Sequence, residues 1–347
     1  MEYKKTKEIR DFIITNVESH PRDIASFAGE KFNISRQAIN KHLHALVEKE
    51  VLQEIGKTRS KIYRLLAKTP LDKEYNRSDS LSESSVYYGD ILPVLNMRNI
   101  TEKVEQRCSY CFTEIFNNAI DHSQANTIYV KVSCDAQRLY IWIYDMGIGI
   151  FKNIKEKYGL DDEQDAVLEL SKGKLTTSPQ NHSGQGIFFS SRIADRFQMR
   201  SHHLNFQNDE IDNVPSQIIK YVEGTEVLLE FIRDSERTSK EVFDKFSSGD
   251  DYGFNITHVP VNLAKAGEEN LISRSQAKRL LARLDKFTEV ALDFTGVSMV
   301  GQAFADEIFR VFQNAHPDIR IYPVNANIEV TQMINRAIFE RRKNAEE

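Results

Sequence analysis

The chain has 347 residues, of which 40% are hydrophobic and 28% charged, and its formal net charge is -5. This composition is typical of soluble, packed protein and excludes disorder throughout and a fibrous chain, while the length predicts about two to three domains at ~150 residues each. No apolar run approaches the ~20 residues that span a bilayer, and the first residues lack the apolar stretch of a signal peptide, so we expect a cytoplasmic protein without membrane contact.

Charge is unevenly distributed along the chain. Residues 1–68 contain 14 Lys and Arg against 9 Asp and Glu, a net +5, and the remainder carries 32 minus 42, or -10. A basic head on an acidic body predicts that only the head meets a polyanion. The Ser-rich stretch 69–85 has no apolar period and predicts a linker, and a charged, Gly- and Ser-containing stretch near 234–251 predicts a second boundary.

The head has the apolar spacing of three helices followed by a hairpin. Helical spacing predicts a first helix over 5–18, a second that opens at Pro21, and a third that Ser35 caps. Residues 51–66 then alternate as a hairpin whose tip, 56–60, carries two cations. Helix, helix, helix and hairpin is therefore the order expected for residues 1–68.

This order resembles the winged helix-turn-helix domains of bacterial transcription regulators. The resemblance implies DNA binding by the outward face of the third helix and by cations of the hairpin, or wing. A small helical interaction module whose charges are only a solvated face is the alternative. Because +5 is modest for DNA affinity, we expect a homodimer. The expected DNA-binding residues are Arg36, Gln37, Asn40, Lys41, His44, Lys57 and Arg59.

The central segment, 86–233, begins with a helix that carries polar residues at fixed intervals. Glu114, Asn118 and Asp121 or His122 stand at i, i+4 and i+7 or i+8, so they share one helical face. An acid and an amide aligned in this way suit a metal-bound triphosphate, because an amide oxygen can ligate Mg²⁺ and a carboxylate can orient or deprotonate a nucleophile. Taken alone, this pattern is common on surface helices.

Three glycine-containing motifs follow in order. A strand over 139–144 runs into Asp145-Met-Gly147-Ile-Gly149, then Ser183-Gly184-Gln185-Gly186 enters an apolar helix, and Gly224-Thr225 opens a further strand. Together with the helix these motifs resemble the GHKL superfamily of ATP-binding domains, which includes gyrase, heat-shock chaperones and histidine and anti-sigma kinases. The resemblance covers about 130 residues and implies a Bergerat-type α/β sandwich that binds ATP and Mg²⁺.

The resemblance also implies a role for each matched residue. Asp145, with Thr225 beside it, would accept a hydrogen bond from the adenine amino group, and Asn118 would ligate Mg²⁺. Glu114 would orient or activate the attacking group. Backbone groups at the glycines would approach base, sugar and phosphate, the last at a helix N-terminus. The expected ATP-binding residues are Asn118, Asp121, Asp145, Gly147, Gly149, Lys172, Ser183, Gly184, Gln185, Gly186 and Thr225.

The stretch 151–181 between the glycine motifs is expected to form a lid over the nucleotide. Its second half is rich in Lys, Ser, Thr and Gly, and Lys172 and Lys174 are candidate phosphate contacts or simply solvated loop lysines. No phosphoacceptor helix of a histidine kinase is evident, which disfavours a two-component kinase. The three cysteines have no partners at zinc spacing and are expected to be reduced core residues.

Residues 252–342 alternate strand and helix, which indicates a small α/β layer fold. Leu292-Asp-Phe-Thr-Gly-Val-Ser-Met-Val-Gly-Gln-Ala-Phe304 resembles the core of STAS-like domains. Classical members carry a phosphorylatable Ser where this chain has Gly301-Gln302-Ala303. Thr295 and Ser298 remain possible phosphorylation sites or simple turn and cap residues. The domain is expected to be a docking module for a protein partner or for its own chain.

The expected fold class is α+β and multidomain: a winged helix-turn-helix, a GHKL α/β sandwich and a small α/β STAS-like domain. The function we expect is that of a DNA-binding transcriptional regulator in which ATP·Mg²⁺ is bound, slowly hydrolysed, and alters domain docking or dimerisation. The alternatives are a Ser/Thr protein kinase of the anti-sigma type, with Glu114 as base, and a defence or stress ATPase that acts on DNA.

Overall fold

The computed structural model describes residues 2–57, 60–98, 100–175, 184–209, 216–248, 253–265 and 270–346. Within these ranges the fold is α+β with several separate sheets, as expected. None of the helices in these ranges is long and apolar enough to cross a membrane.

The head consists of three helices and a hairpin. Ser35 caps the third helix, since its Oγ accepts a hydrogen bond from Ala38 N at 3.2 Å, and Ile13, Ile39 and Leu43 are fully buried in a core of the head's own. The two strands pair antiparallel. The elements are α1 (Glu2–Asn16), α2 (Ile24–Phe32), α3 (Arg36–Glu48), β1 (Leu52–Ile55) and β2 (Ile62–Leu65).

The predicted linker at 69–85 is wrong over its first half. Lys68–Asn76 forms a nine-residue strand, β3, which pairs antiparallel with β4 (Thr127–Cys134). The side chain of Tyr75 is buried, and Leu71 packs against the core. Four of its nine residues are charged, as suits the edge strand of a sheet, where polar side chains face water.

The central domain is a five-stranded antiparallel sheet of order β3-β4-β5-β7-β6 with helices packed on it. Its long helix, α6, buries its apolar face in the core of the domain. The further elements are α4 (Glu83–Val86), a π-helical turn (Tyr87–Ile91), α5 (Leu92–Met97), α6 (Glu102–His122), β5 (Arg138–Asp145), α7 (Ile150–Tyr158), α8 (Glu163–Lys172), α9 (Gly186–Ile193), β6 (Arg196–Asp209) and β7 (Ser216–Ile232).

The C-terminal domain has the predicted alternation of strand and helix, with three parallel strands in the order β10-β11-β12. A helix with a complete capping box, α10, occupies part of the predicted boundary at 234–251. The elements are α10 (Ser239–Phe246), β8 (Ser247–Ser248), β9 (Gly253–Phe254), β10 (Ile256–Pro260), α11 (Arg274–Leu281), β11 (Glu289–Asp293), α12 (Gln302–Asp306), a π-helical stretch (Glu307–Phe312), α13 (Gln313–Ala315), β12 (Arg320–Val324) and α14 (Ile328–Glu346).

The central and C-terminal domains share one hydrophobic core. The rings of Phe188 and Phe189 on α9 lie 4.6 and 4.9 Å, centroid to centroid, from the ring of Phe254 on β9. The head instead meets the central domain through the turn between β4 and β5, where Ala136 packs against the head core and Gln137 Nε2 donates to Ile14 O. The C-terminal domain is therefore packed onto the central domain through apolar side chains.

Candidate functional site

A cavity of about 250 Å³ lies in the central domain between α6, the end of β5 and the start of α9. Its apolar wall comes from Ile115, Ile143, Ile154, Met199 and Val227. Its polar wall contains residues from all four sequence motifs, although Glu114 and Thr225 are 111 positions apart in the chain. The predicted site residues that line the cavity are Glu114, Asn118, Asp145, Gly184, Gly186 and Thr225.

Asp145 ends β5 and is 4% exposed. Burial raises the pKa of this carboxyl to about 6, while backbone N–H groups of Gly147 and Thr225 oppose the rise by hydrogen bonding to the charged form. The bond from Gly147 N to Asp145 Oδ1 measures 3.0 Å. The carboxylate is therefore fixed in direction and placed in an apolar wall, where it can accept a hydrogen bond from a ligand.

The backbone after β5 is packed closely against the end of α6. Ile148 N donates to Ser123 O at 2.8 Å, and a Cβ atom at Gly147 would collide with that carbonyl. Thr225, the register partner of Asp145, accepts a hydrogen bond from Ile150 N at 3.0 Å through its Oγ1. Glycine is required at position 147 because the two segments approach too closely for any side chain.

Glu114 and Asn118 lie one turn apart on α6, half-buried and directed at the cavity. A Cβ atom at Gly186 would collide with Glu114 Oε2, so the carboxylate reaches the first residue of α9. The arrangement brings an acid, an amide and a helix N-terminus to one wall of the cavity. Such groups can orient a water molecule and bind phosphate or a divalent cation.

Whether this wall of the cavity suits a metal ion depends on the number and type of its possible ligands. Within the described ranges no group of three or more His, Cys, Asp or Glu side chains could hold a metal ion. Mg²⁺ is commonly bound by one or two protein oxygens together with substrate phosphates. The Asn118 amide oxygen therefore fits a metal that arrives with a nucleotide, rather than one resident in a protein cage.

Four other predicted residues lie near the cavity without lining it. Asp121 is exposed on α6; Gly147 is in the loop described above; Gly149 precedes α7 with φ of +83°; and Gln185 is half-buried just before α9. Ser183 lies outside the described residues. Of these four, Gly147 and Gly149 adopt the close or left-handed backbone next to the cavity.

The structure corrects the prediction for Lys172. This side chain is 2% exposed and forms an ion pair with Glu169 at 2.7 Å, and its Nζ donates to Arg279 O at 3.0 Å and Ala282 O at 2.9 Å in the C-terminal domain. Burial lowers its pKa and the charge of Glu169 opposes this change. Lys172 is thus an interdomain contact and does not face the cavity.

Sequence reasoning missed other residues of the cavity wall. Ser123 at the end of α6, Asn153 on α7 and the leucines Leu170 and Leu175 all line it. Asn153 Nδ2 donates to His122 O at 3.1 Å, which ties α7 to α6. His122, which the helical spacing offered as the alternative to Asp121, also lines the cavity, whereas the leucines have the pattern of ordinary core residues.

Most of the predicted DNA-contacting residues are exposed on the head. The side chains of Arg36, Gln37, Lys41 and His44 on α3 are exposed, and Asn40 is half-buried. Lys57 is exposed at the hairpin tip, and Arg59 lies outside the described residues. One acidic residue, Glu54, lies on the hairpin and forms an ion pair with Lys61 at 2.8 Å.

The motif of the C-terminal domain lies at the carboxyl end of β11. Asp293 is buried and its Oδ1 accepts hydrogen bonds from Thr295 N at 2.9 Å, Thr295 Oγ1 at 2.7 Å and Asn325 Nδ2 at 3.1 Å. Hydrogen bonds of this kind support the turn after β11, so Thr295 stabilises a turn here. Ser298 is exposed in the loop that follows.

A family match covers much of this domain. Residues 276–331 match the family described as a STAS-like domain of unknown function (DUF4325). The C-terminal domain is therefore STAS-like, and this part of the sequence prediction is confirmed. No match was found among curated proteins.

Proposed function

We propose that the protein is an ATP-responsive, DNA-binding regulator whose central domain is a GHKL-type nucleotide site. The observation that carries the proposal is the cavity of the central domain, to which a buried carboxylate, a helical acid and amide, and the glycine turn before α9 all contribute. Residues predicted from separate motifs share this one cavity, which supports the resemblance on which the motifs were matched.

Each part of the cavity suits one part of ATP. The Asp145 carboxylate accepts a hydrogen bond from the adenine amino group and has no proton to donate when ionised, which favours adenine over guanine. Gly184 and Gly186 leave the start of α9 accessible to phosphate. Mg²⁺, bound by Asn118 and the phosphates, would neutralise phosphate charge. Glu114 is placed to orient a water molecule, which supports slow hydrolysis.

The head supplies the proposed DNA contact. Exposed cations and amides on α3 suit base edges and phosphates, and Lys57 at the hairpin tip suits the phosphate backbone. If the head binds DNA as a winged helix, DNA affinity falls as the salt concentration rises. Neutralising Lys41 should then reduce the slope of log affinity against log salt concentration by about one unit per lost phosphate contact. Lys152→Gln on α7, an exposed lysine of the central domain, is the matched control.

The nucleotide site is tested by ATP binding to Asp145→Asn in the full-length protein with Mg²⁺. The amide presents N–H donors where the carboxylate presents only acceptors, so we expect affinity to fall by about tenfold or more. Asp72→Asn, an exposed site on β3, is the matched control and should bind as wild type does. Equal affinity of wild type and Asp145→Asn would refute this pocket.

The regulatory role is tested in the same preparation. DNA affinity is measured at fixed salt with and without ATP·Mg²⁺, while phosphate release and labelling of protein by ATP are followed together. A nucleotide-dependent change of DNA affinity without labelled protein supports the regulator. Labelled protein with unchanged DNA affinity would instead favour a protein kinase.

A further inference from the structure

Residues 163–175, termed the arm, lie between the cavity and the STAS-like domain. On one side the arm contributes Leu170 and Leu175 to the cavity wall. On the other side its acidic residues pair with the STAS-like domain, Asp165 with Arg279 at 3.3 Å and Glu169 with Arg283 at 2.8 Å. The same short segment therefore contacts both a candidate ligand site and a separate domain.

Three interdomain hydrogen bonds meet at Lys172. Its ammonium group donates to two carbonyl oxygens at the C-terminal end of α11, and Thr257 Oγ1 of β10 donates to Lys172 O at 2.7 Å. Lys172 and Thr257 are both buried. Separating the domains would leave a cation and several carbonyl groups without these partners, so the contact opposes movement of the arm away from the STAS-like domain.

A second contact follows two residues later. Lys174 has φ of +55°, its Nζ donates to Lys286 O at 2.6 Å, and Lys286 Nζ donates to Lys174 O at 3.3 Å. The Lys174 ammonium also lies 4.6 Å from the ring centre of Phe287. The contact fixes the residue that immediately precedes Leu175 in the cavity wall.

The arm in turn fixes the glycine turn before α9. A Cβ atom at Gly184 would collide with the backbone of Leu175, so these two residues are in direct contact. Gly184 also lines the cavity. A displacement of the arm would therefore alter the apolar wall at Leu170 and Leu175 and the turn at Gly184 together.

We propose that the STAS-like domain regulates the cavity by fixing the arm in the conformation that binds ligand, and that ligand binding strengthens the packing of this domain on the arm. The identity of the ligand, ATP·Mg²⁺, rests on the proposed function. The coupling itself rests on the contacts of Lys172, Lys174 and Thr257. Because coupling between two sites is reciprocal, each effect requires the other. A partner that detaches the STAS-like domain would weaken ligand binding.

The test begins with Thr257→Val in the full-length protein. Valine has nearly the same shape as threonine but lacks the hydroxyl that donates to Lys172 O. We expect ATP affinity, measured by calorimetry with Mg²⁺, to fall by about fivefold or more. Thr288→Val is the matched control, because the Thr288 hydroxyl bonds within its own domain, to Asn255 O at 3.4 Å, and it should leave ATP affinity unchanged.

A second variant and a second measurement keep the test independent of one substitution. Lys286→Ala removes the exposed interdomain hydrogen bond from Lys286 Nζ to Lys174 O and should also lower ATP affinity, although Lys286 does not line the cavity. In wild-type protein, ATP·Mg²⁺ should slow backbone hydrogen exchange over residues 274–286, although no residue in that range lines the cavity. Exchange over 36–48 in the head serves as the internal reference.

Each outcome decides between the two proposals. If wild-type protein binds no ATP, the proposed function fails and the coupling to ATP fails with it. If wild type binds ATP but both variants bind it equally well, and ATP leaves exchange over 274–286 unchanged, the regulatory inference alone is overturned. Weaker binding by both variants together with slower exchange in wild type supports it.

Discussion

Asp145 shows how one buried residue determines the chemistry of the cavity. Its carboxyl group is surrounded by apolar side chains from β5 and β7, and its pKa of about 6 follows from that burial. The two backbone N–H groups that bond to it compensate only part of the desolvation. A chain selected for stability alone would have an apolar residue here, so the carboxylate indicates a binding role.

The raised pKa predicts a pH dependence of stability. Between pH 3.8 and about 6 the folded chain binds more protons at Asp145 than the unfolded chain, so the free energy of unfolding falls as pH rises through this window. Asp145→Asn removes this contribution, which at a shift of roughly two units amounts to about 3 kcal/mol at most. In urea titrations, the stability of Asp145→Asn relative to wild type should increase from pH 4 to pH 7.

The control for this prediction is Asp72→Asn, since Asp72 is exposed on β3. Its stability relative to wild type should be nearly the same at both pH values. A relative stability of Asp145→Asn that does not change with pH would show that the carboxyl titrates at its ordinary pKa.

Gly186 provides a second prediction at the scale of one residue. A methyl group there would collide with Glu114 Oε2, so Gly186→Ala must displace the acid or shift α9. We expect a loss of about 1–3 kcal/mol of stability and, if the cavity hydrolyses ATP, a larger loss of turnover than of binding. Gly89→Ala is the control because open space surrounds that position. Equal effects of the two substitutions would contradict the contact between Glu114 and Gly186.

Among the elements, β3 differs most from what the sequence predicted. Its only buried side chain is Tyr75, which contributes little to a pattern search, and four of its nine residues are charged. β3 forms because its backbone pairs with β4, and backbone hydrogen bonds do not depend on the hydropathy of the side chains. The hydropathy pattern of the sequence therefore does not reveal this strand. By contrast, α3 and α6 were predictable because each has a regular apolar face and a Ser or Thr cap.

The attachment of β3 can be tested at Tyr75. Its hydroxyl donates to Asp90 Oδ2 at 2.9 Å, and Lys73 Nζ contacts the same carboxylate oxygen at 2.8 Å. Tyr75→Phe should cost about 1 kcal/mol of unfolding free energy, the usual net value of such a bond. Tyr88→Phe at a 65% exposed position should cost almost nothing. Indistinguishable denaturant midpoints for the two variants would show that the bond adds no stability.

At the scale of the molecule, the number of hydrophobic cores differs from the number of domains that the sequence predicts. The sequence predicts three domains, but the central and C-terminal domains share one buried cluster and the head has another. The interdomain contact of Lys172 was not predictable for the same reason. The two carbonyl oxygens that accept hydrogen bonds from its ammonium group belong to residues 107 and 110 positions further along the chain. Motif spacing identified six polar and glycine residues of the cavity wall, whereas it could not show the apolar wall or the contacts between distant segments.

The shared core predicts two cooperative unfolding units. In a calorimetric scan of the full-length protein, the head should unfold in one transition and the central and C-terminal domains together in another. Ile39→Ala in the head core should lower the first transition temperature and leave the second nearly unchanged, and Ile141→Ala in the central sheet should do the reverse. Three separate transitions would contradict a common core.

The last strand of the head, β2, is followed almost directly by β3 of the central sheet, so a rotation of β3 displaces the head. Only Leu66 and Ala67 separate the hairpin from a strand of nine residues, about 30 Å long at ~3.3 Å per residue. A rotation of about 5° at the far end of such a strand moves its near end by about 2.6 Å, which approaches the ~3.4 Å rise of one base pair. If two copies of the chain bind DNA together, as the winged-helix resemblance leads us to expect, a small tilt of both central sheets would therefore change the distance between the two heads by more than the thickness of a base pair.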